Sequence, residues 1–207
     1  LLMSVWLVVG SAPGVERQLD ALRPALTRVK TITCNAGGRL FVAPTRPDFY
    51  WLSDPIAVQR FCILAGDLRK RGTKLIGPVD DPKGWRVNWM LRTDVAIKLP
   101  RCGTGAPTFT PGKWVHPRFS GLICIQYALH SGATRVIMSG MMGYRSTPTR
   151  NVRDYFDGRP GPCQGIRDND QWTAPFLRSC MAALPAVEFV MVGRPVYNIA
   201  APNLTSV

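Results

Sequence analysis

Residues 120–140 read SGLICIQYALHSGATRVIMSG, with Ser-Gly pairs at 120–121, 131–132 and 139–140. Between the first two pairs, Leu122, Ile125 and Leu129 recur at helical spacing. This predicts a helix over 120–130, with Gln126 and His130 on a different face. Between the second and third pairs, residues 136–138 form a short apolar run that predicts a buried strand. A helix, a tight turn, a strand and a small-residue turn are the repeating parts of a parallel α/β sheet. Either these small residues are joints only, or the outer pairs form one wall of a ligand site.

The same alternation extends to both sides. Residues 5–9 (VWLVV) are continuously apolar and end at Gly10, as expected of a strand buried on both faces. Residues 15–26 then read as a helix with Leu19, Leu22 and Leu26 on one side. Short strands are predicted at 31–34, 49–52 and 74–76, with a helix at 56–70. A last long helix is expected over 171–184, and 189–192 as the final strand. The fold class is therefore α/β: a single Rossmann-like domain spanning 1–207, its mainly parallel sheet flanked by helices. Two stretches break the pattern. Residues 82–119 collect Pro, Gly and Trp and read as a basic, aromatic insertion or lid; 144–170 form a second loop-rich stretch.

Composition narrows the partners. Of 207 residues, 26 are Lys or Arg and 13 Asp or Glu, a net charge of +13 that favours anionic partners. Apolar residues make up 46%, enough to build a core. The six cysteines (34, 62, 102, 124, 163 and 180) form no Cys-x-x-Cys pair, so they read as reduced, mostly buried thiols. Together with only two histidines, this gives no zinc-site spacing, and no metal is expected. The opening apolar run is too short for a membrane span and lacks a basic leader, so a cytoplasmic location is expected. The sequon at Asn203 would matter only in a secreted chain.

Ligands of parallel sheets bind beyond the carboxyl ends of the strands. Five features fall there: Gly10–Gly14 (GSAPG), Cys34–Gly37 (CNAG), Ser53–Pro55 (SDP), Phe119–Gly121 (FSG) and Ser139–Tyr144 (SGMMGY). None is a dinucleotide fingerprint or a P-loop. Gly10 and Gly14 permit close backbone approach to a phosphate, although a βα turn needs glycine on structural grounds as well. Asn35 suits a base or ribose, or else an Asx-turn ending the strand. Asp54 and Ser120 are candidate N-caps at the rim of the site. His116, in KWVHPRFSG, is the candidate general base, and Arg118 the candidate phosphate ligand. Lys83, Arg86, Arg92, Lys98, Arg101, Lys113 and Arg118 alternate with Trp85, Trp89, Phe109, Trp114 and Phe119. Cations among aromatics fit single-stranded nucleic acid or a flipped base. The alternative is a solvated loop whose tryptophans pack onto the sheet.

The spacing of the Ser-Gly pairs resembles the bacterial sialyltransferases of glycosyltransferase family 42. It is similar, too, to the wider domain-of-unknown-function 115 group, which includes motility-associated glycosyltransferases and archaeal hydroxymethylpterin pyrophosphokinases. Gly10-Ser11-Ala12-Pro13-Gly14 stands at a first-strand Gly-Asn-Gly-Pro-Ser motif, Thr33-Cys34-Asn35 at an Arg-Cys-Asn motif, and Asp54-Pro55 at an Asp-Pro motif. The resemblance implies nucleotide contacts from Gly10, Ser11, Asn35, Ser120, Gly121, Ser139 and Gly140, and no metal. The chain departs from the pattern at Ser11, at Gly14 and at Met141-Met142, where Ile-Asp is expected. His116 also lies closer to Ser-Gly than the family's catalytic histidine does.

The expectation is a glycosyltransferase using a CMP- or UDP-linked sugar donor, with an anionic acceptor such as modified DNA. Two alternatives belong to other classes. A Mg²⁺-dependent pyrophosphokinase would need carboxylates from Asp54 and Asp80 or Asp81. A non-catalytic nucleic-acid-binding module would need only the basic insertion.

Overall fold

The apolar run at the start of the chain forms β1 (Val5–Val9), the strand around which the sheet is assembled. It pairs in parallel with β2 (Lys30–Cys34) on one side and β6 (Arg135–Ser139) on the other. Beyond β2 lie β3 (Phe49–Trp51), β4 (Lys74–Pro78) and β5 (Val95–Ile97); beyond β6 lie β7 (Glu188–Val192) and β8 (Leu204–Ser206). The result is an eight-stranded sheet, ordered β5-β4-β3-β2-β1-β6-β7-β8, with every described pair parallel. The computed structural model describes residues 3–52, 55–79, 93–141, 143, 169–195 and 197–207.

Alternate residues of the strands enter opposite cores, the period-two consequence of the pleat. Trp6, Val8, Ile32, Ile76, Val136 and Met138 pack under α3 (Ser120–His130) and α4 (Ala174–Ala183). On the other face, Leu7 and Val9 meet α1 (Val15–Leu22), while Tyr50 and Leu75 meet α2 (Pro55–Lys70). Both faces are covered, which is why β1 carries no polar residue. The architecture is the α/β Rossmann-like fold expected from the sequence.

Five local expectations change. The helix expected over 15–26 ends at Leu22 and tightens into a 3₁₀ turn, Arg23–Arg28. Pro24 lacks the N–H that an α-helical bond requires, so the tighter turn follows. The helix expected over 171–184 splits into a π-turn, Asn169–Thr173, and α4. Strand β8 follows the strand expected to be last, and β5 lies within the stretch expected to be an insertion. Gln126, expected on a polar face, is fully buried.

The sequon has a structural use. The Asn203 amide donates to the carbonyls of Met181, Leu184 and Val187 at 3.3, 3.2 and 2.9 Å, closing the turn after α4. Cys34, Cys124 and Cys180 are buried free thiols, Cys62 is partly buried and Cys102 exposed; Cys163 lies outside the described residues.

Candidate nucleotide site

Strand numbering rises in both directions away from the β1–β6 pair, so the sheet reverses its winding there. Such a switch point leaves a crevice beyond the strand ends. Gly10 leaves β1 and Gly140 leaves β6, and the two turns are sewn together. The Gly10 amide donates to the Ser139 carbonyl at 2.7 Å, and the Ala12 amide to the Gly140 carbonyl at 3.1 Å. A Cβ on Gly10 would overlap the Gly140 carbonyl oxygen. Gly140 has φ +67, and a Cβ there would stand 2.9 Å from Val15 Cβ. These two glycines are required by backbone packed on backbone. Gly14, with φ +83 and open space around it, is glycine for its conformation alone.

Ser139 and Gly140 turn inward. Ser139 is fully buried; its hydroxyl and the Gly140 amide both donate to Gln18 Oε1, each at 2.9 Å. Their role in this geometry is to lock β6 onto α1. Ser11 is partly exposed on the neighbouring turn.

Asn35 begins the turn after β2 in the left-handed region, at φ 48, which a non-glycine residue rarely adopts. Its carbonyl accepts from the Tyr50 hydroxyl at 2.6 Å. Burial pushes that phenol far above its usual range, so Tyr50 stays a proton donor. The Asn35 side-chain oxygen, by contrast, is buried and has no hydrogen-bond partner among the described residues. Two residues on, a Cβ at Gly37 would lie 3.1 Å from the Gly10 carbonyl. The end of β2 is thus packed against the turn that follows β1.

The third wall is the start of α3. Phe119, rather than Ser120, is the N-cap: its backbone is extended and its carbonyl accepts from the Leu122 and Ile123 amides at 3.1 and 3.2 Å. Ser120 and Gly121 therefore occupy the first turn, where amides have no partner within the helix. A Cβ on Gly121 would stand 2.8 Å from Met141 Sδ, and so would one on Gly10. The Met141 thioether thus lies between the two glycines.

His116 and Arg118 precede α3 on a segment anchored from beneath. Gln126 Oε1 accepts from the Val115 amide, and Gln126 Nε2 donates to the Val115 carbonyl, both at 2.9 Å. The Arg118 amide donates to His116 Nδ1 at 3.2 Å. A neutral ring held this way carries its proton on Nε2, and base action at Nδ1 requires that bond to open. Arg118 is itself left-handed, at φ 62, with its guanidinium 5.3 Å from the Trp172 ring centre and 5.9 Å from that of Phe119. Trp172 is buried and its indole N–H has no acceptor among the described residues.

His130 lies at the far end of α3, its ring tilted against those of Trp114 and Phe109 at centroid distances of 4.6 and 5.4 Å. Burial lowers its pKa, opposed by a backbone bond to Lys113. Trp114 and Phe109 thereby pack onto α3 rather than standing free. Asp54, Asp80 and Asp81, like Lys83, Trp85, Arg86, Trp89, Arg92 and Met142, lie outside the described residues. Sequence reasoning missed Gln126, Gln18 and Met141. The one signal for Gln126 was a lone amide inside an otherwise apolar helix.

A sheet whose described pairs are all parallel, with glycine turns at its switch point, defines a Rossmann-like α/β protein. No protein-family model matches the chain, and no curated protein does. Among solved structures it is similar to the MAf glycosyltransferase from Magnetospirillum magneticum AMB-1, with a TM-score of 0.67 and 16% identity. That likeness covers 100% of this chain and 34% of the other, so the chain spans about a third of its neighbour's length. The likeness is one of fold. Among the described residues no helix is long and apolar enough to cross a membrane.

Proposed function

We propose that this chain binds a nucleotide-activated sugar at the switch-point crevice and transfers the sugar, in the manner of the family 42 and domain-of-unknown-function 115 proteins it resembles. The observation that carries the reading is Asn35: a strained backbone and a buried side-chain oxygen with no partner among the described residues, set beside the glycine turns of β1 and β2. Such a group costs about 1–3 kcal/mol in the empty protein, and a base or ribose donor removes the penalty. Around it, Gly10, Ser11, Ser120 and Gly121 offer backbone to the nucleotide. Arg118 meets the departing phosphate, and His116 serves the acceptor hydroxyl as base once Nδ1 is released, or the phosphate as donor through Nε2. The donor is a CMP- or UDP-linked sugar. The surplus of cations favours an anionic acceptor such as modified DNA.

Thermal-shift titration with CMP, UDP, their sugar conjugates, ATP with Mg²⁺, and single-stranded DNA tests the reading. Metal-independent stabilisation by one nucleotide family, surviving moderate salt and weakened at least tenfold in Asn35→Ala, is the expected result. Stabilisation only by ATP with Mg²⁺ would make the chain a kinase. Stabilisation by DNA alone, abolished by salt, would make it a binding module.

A further inference from the structure

Met141 occupies the position that the family resemblance leaves to isoleucine, and its surroundings give it a specific task. Its backbone is fixed: the Tyr197 hydroxyl donates to the Met141 carbonyl at 2.8 Å. Tyr197 is buried and its phenol is pushed well above the usual range by that burial, so the bond does not titrate. The side chain runs between Gly10 and Gly121, where added Cβ atoms would stand 2.8 Å from Sδ in each case. The residue as a whole is only partly buried. Gly10 and Gly121 thus have a sulfur-bearing apolar chain lodged between them.

A thioether offers nothing to a phosphate. It is soft and polarisable, and it packs well on a flat aromatic ring. The acceptor nearby is also uncharged: the Asn35 side-chain oxygen lies buried after β2, whose turn meets Gly10 through Gly37. Arg118, whose guanidinium lies beside Trp172, precedes α3. We propose that Met141 is the platform for the nucleobase and determines which end of the nucleotide enters the crevice. The base lies on the Met141 thioether within reach of Asn35, and the phosphates extend toward Arg118 and the first turn of α3. This inference rests on the nucleotide-binding reading and adds the ligand's orientation.

Calorimetric titration of the full chain with nucleosides, their 5′-monophosphates and ribose 5-phosphate tests it, using wild type, Met141→Ala and Met141→Leu. Loss of the side chain that packs on the ring weakens binding by roughly tenfold. Met141→Ala is expected to lose about that factor for nucleoside and nucleotide alike, with ribose 5-phosphate unchanged. Met141→Leu, which keeps the apolar volume, stays within about threefold of wild type. Unchanged nucleoside binding in Met141→Ala overturns the inference, as does an equal loss for ribose 5-phosphate; either leaves the nucleotide site standing. If wild type binds none of these probes, the site reading falls and the inference with it.

Discussion

At the scale of single residues, the glycines separate into two kinds that sequence alone cannot distinguish. At Gly10 a side chain meets backbone, the Gly140 carbonyl, which has no freedom to retreat. Gly10→Ala is expected to cost about 3 kcal/mol or more in a denaturation experiment, with no single rescuing substitution. At Gly121 the obstacle is only the end of the Met141 side chain. Gly121→Ala is expected to cost about 1 kcal/mol, and Gly121→Ala/Met141→Ala should be no less stable than Met141→Ala alone, because alanine favours the helix. A double-mutant cycle that adds without coupling would show that the thioether does not lie there. His130 gives a pH signature. Its folded pKa is depressed below 6.5, so its neutral form stabilises the fold above that pH, and the contribution is lost as pH falls through the folded value. Melting curves from pH 7.5 to 5 should therefore fall more steeply for wild type than for His130→Phe, and parallel curves would refute the assignment.

At the scale of elements, the long periodic segments were legible and the short or interrupted ones were not. Helix α3 matched its expected bounds because its apolar spacing is uninterrupted and Ser131-Gly132 stops it. Strands β5 and β8 have three residues each, too few for any alternation to show. Much of the site lies in contacts no local pattern encodes. Nothing near Ser139 announces that Gln18, on α1, will claim its hydroxyl. The left-handed turn at Asn35 is likewise set by tertiary packing, although the residue type was a fair sign. Gln126 is the element-scale device: one buried amide joins α3 to the segment bearing His116 and Arg118. Gln126→Leu leaves the Val115 amide and carbonyl unpaired, at about 2 kcal/mol, or roughly 4–8 °C in melting temperature for a chain of this size. Gln126→Glu should do worse, since it keeps one bond but buries a charge. A Gln126→Leu protein that melts with wild type would show that the segment is held by other contacts.

At the scale of the whole molecule, the sheet's class and its centre followed from apolar patterning, because a strand covered on both faces leaves a continuous hydrophobic run. The order of the strands did not: it follows from which helices cross which face, and sequence spacing alone does not decide that. The order has a consequence for how the chain is made. β2 follows β1 closely along the chain, but the partner on the other edge of β1 is β6, which is synthesised about a hundred residues after β2. At ordinary elongation rates, roughly 5–20 residues per second, that edge stays bare for several seconds or more in every nascent chain. The exposed strand is VWLVV, without a charge or a proline to guard it. A fragment comprising residues 1–119 should therefore sediment as aggregate under conditions that keep the full chain in solution. The strand that organises the finished sheet is also the one most in need of chaperoning while the sheet is half built.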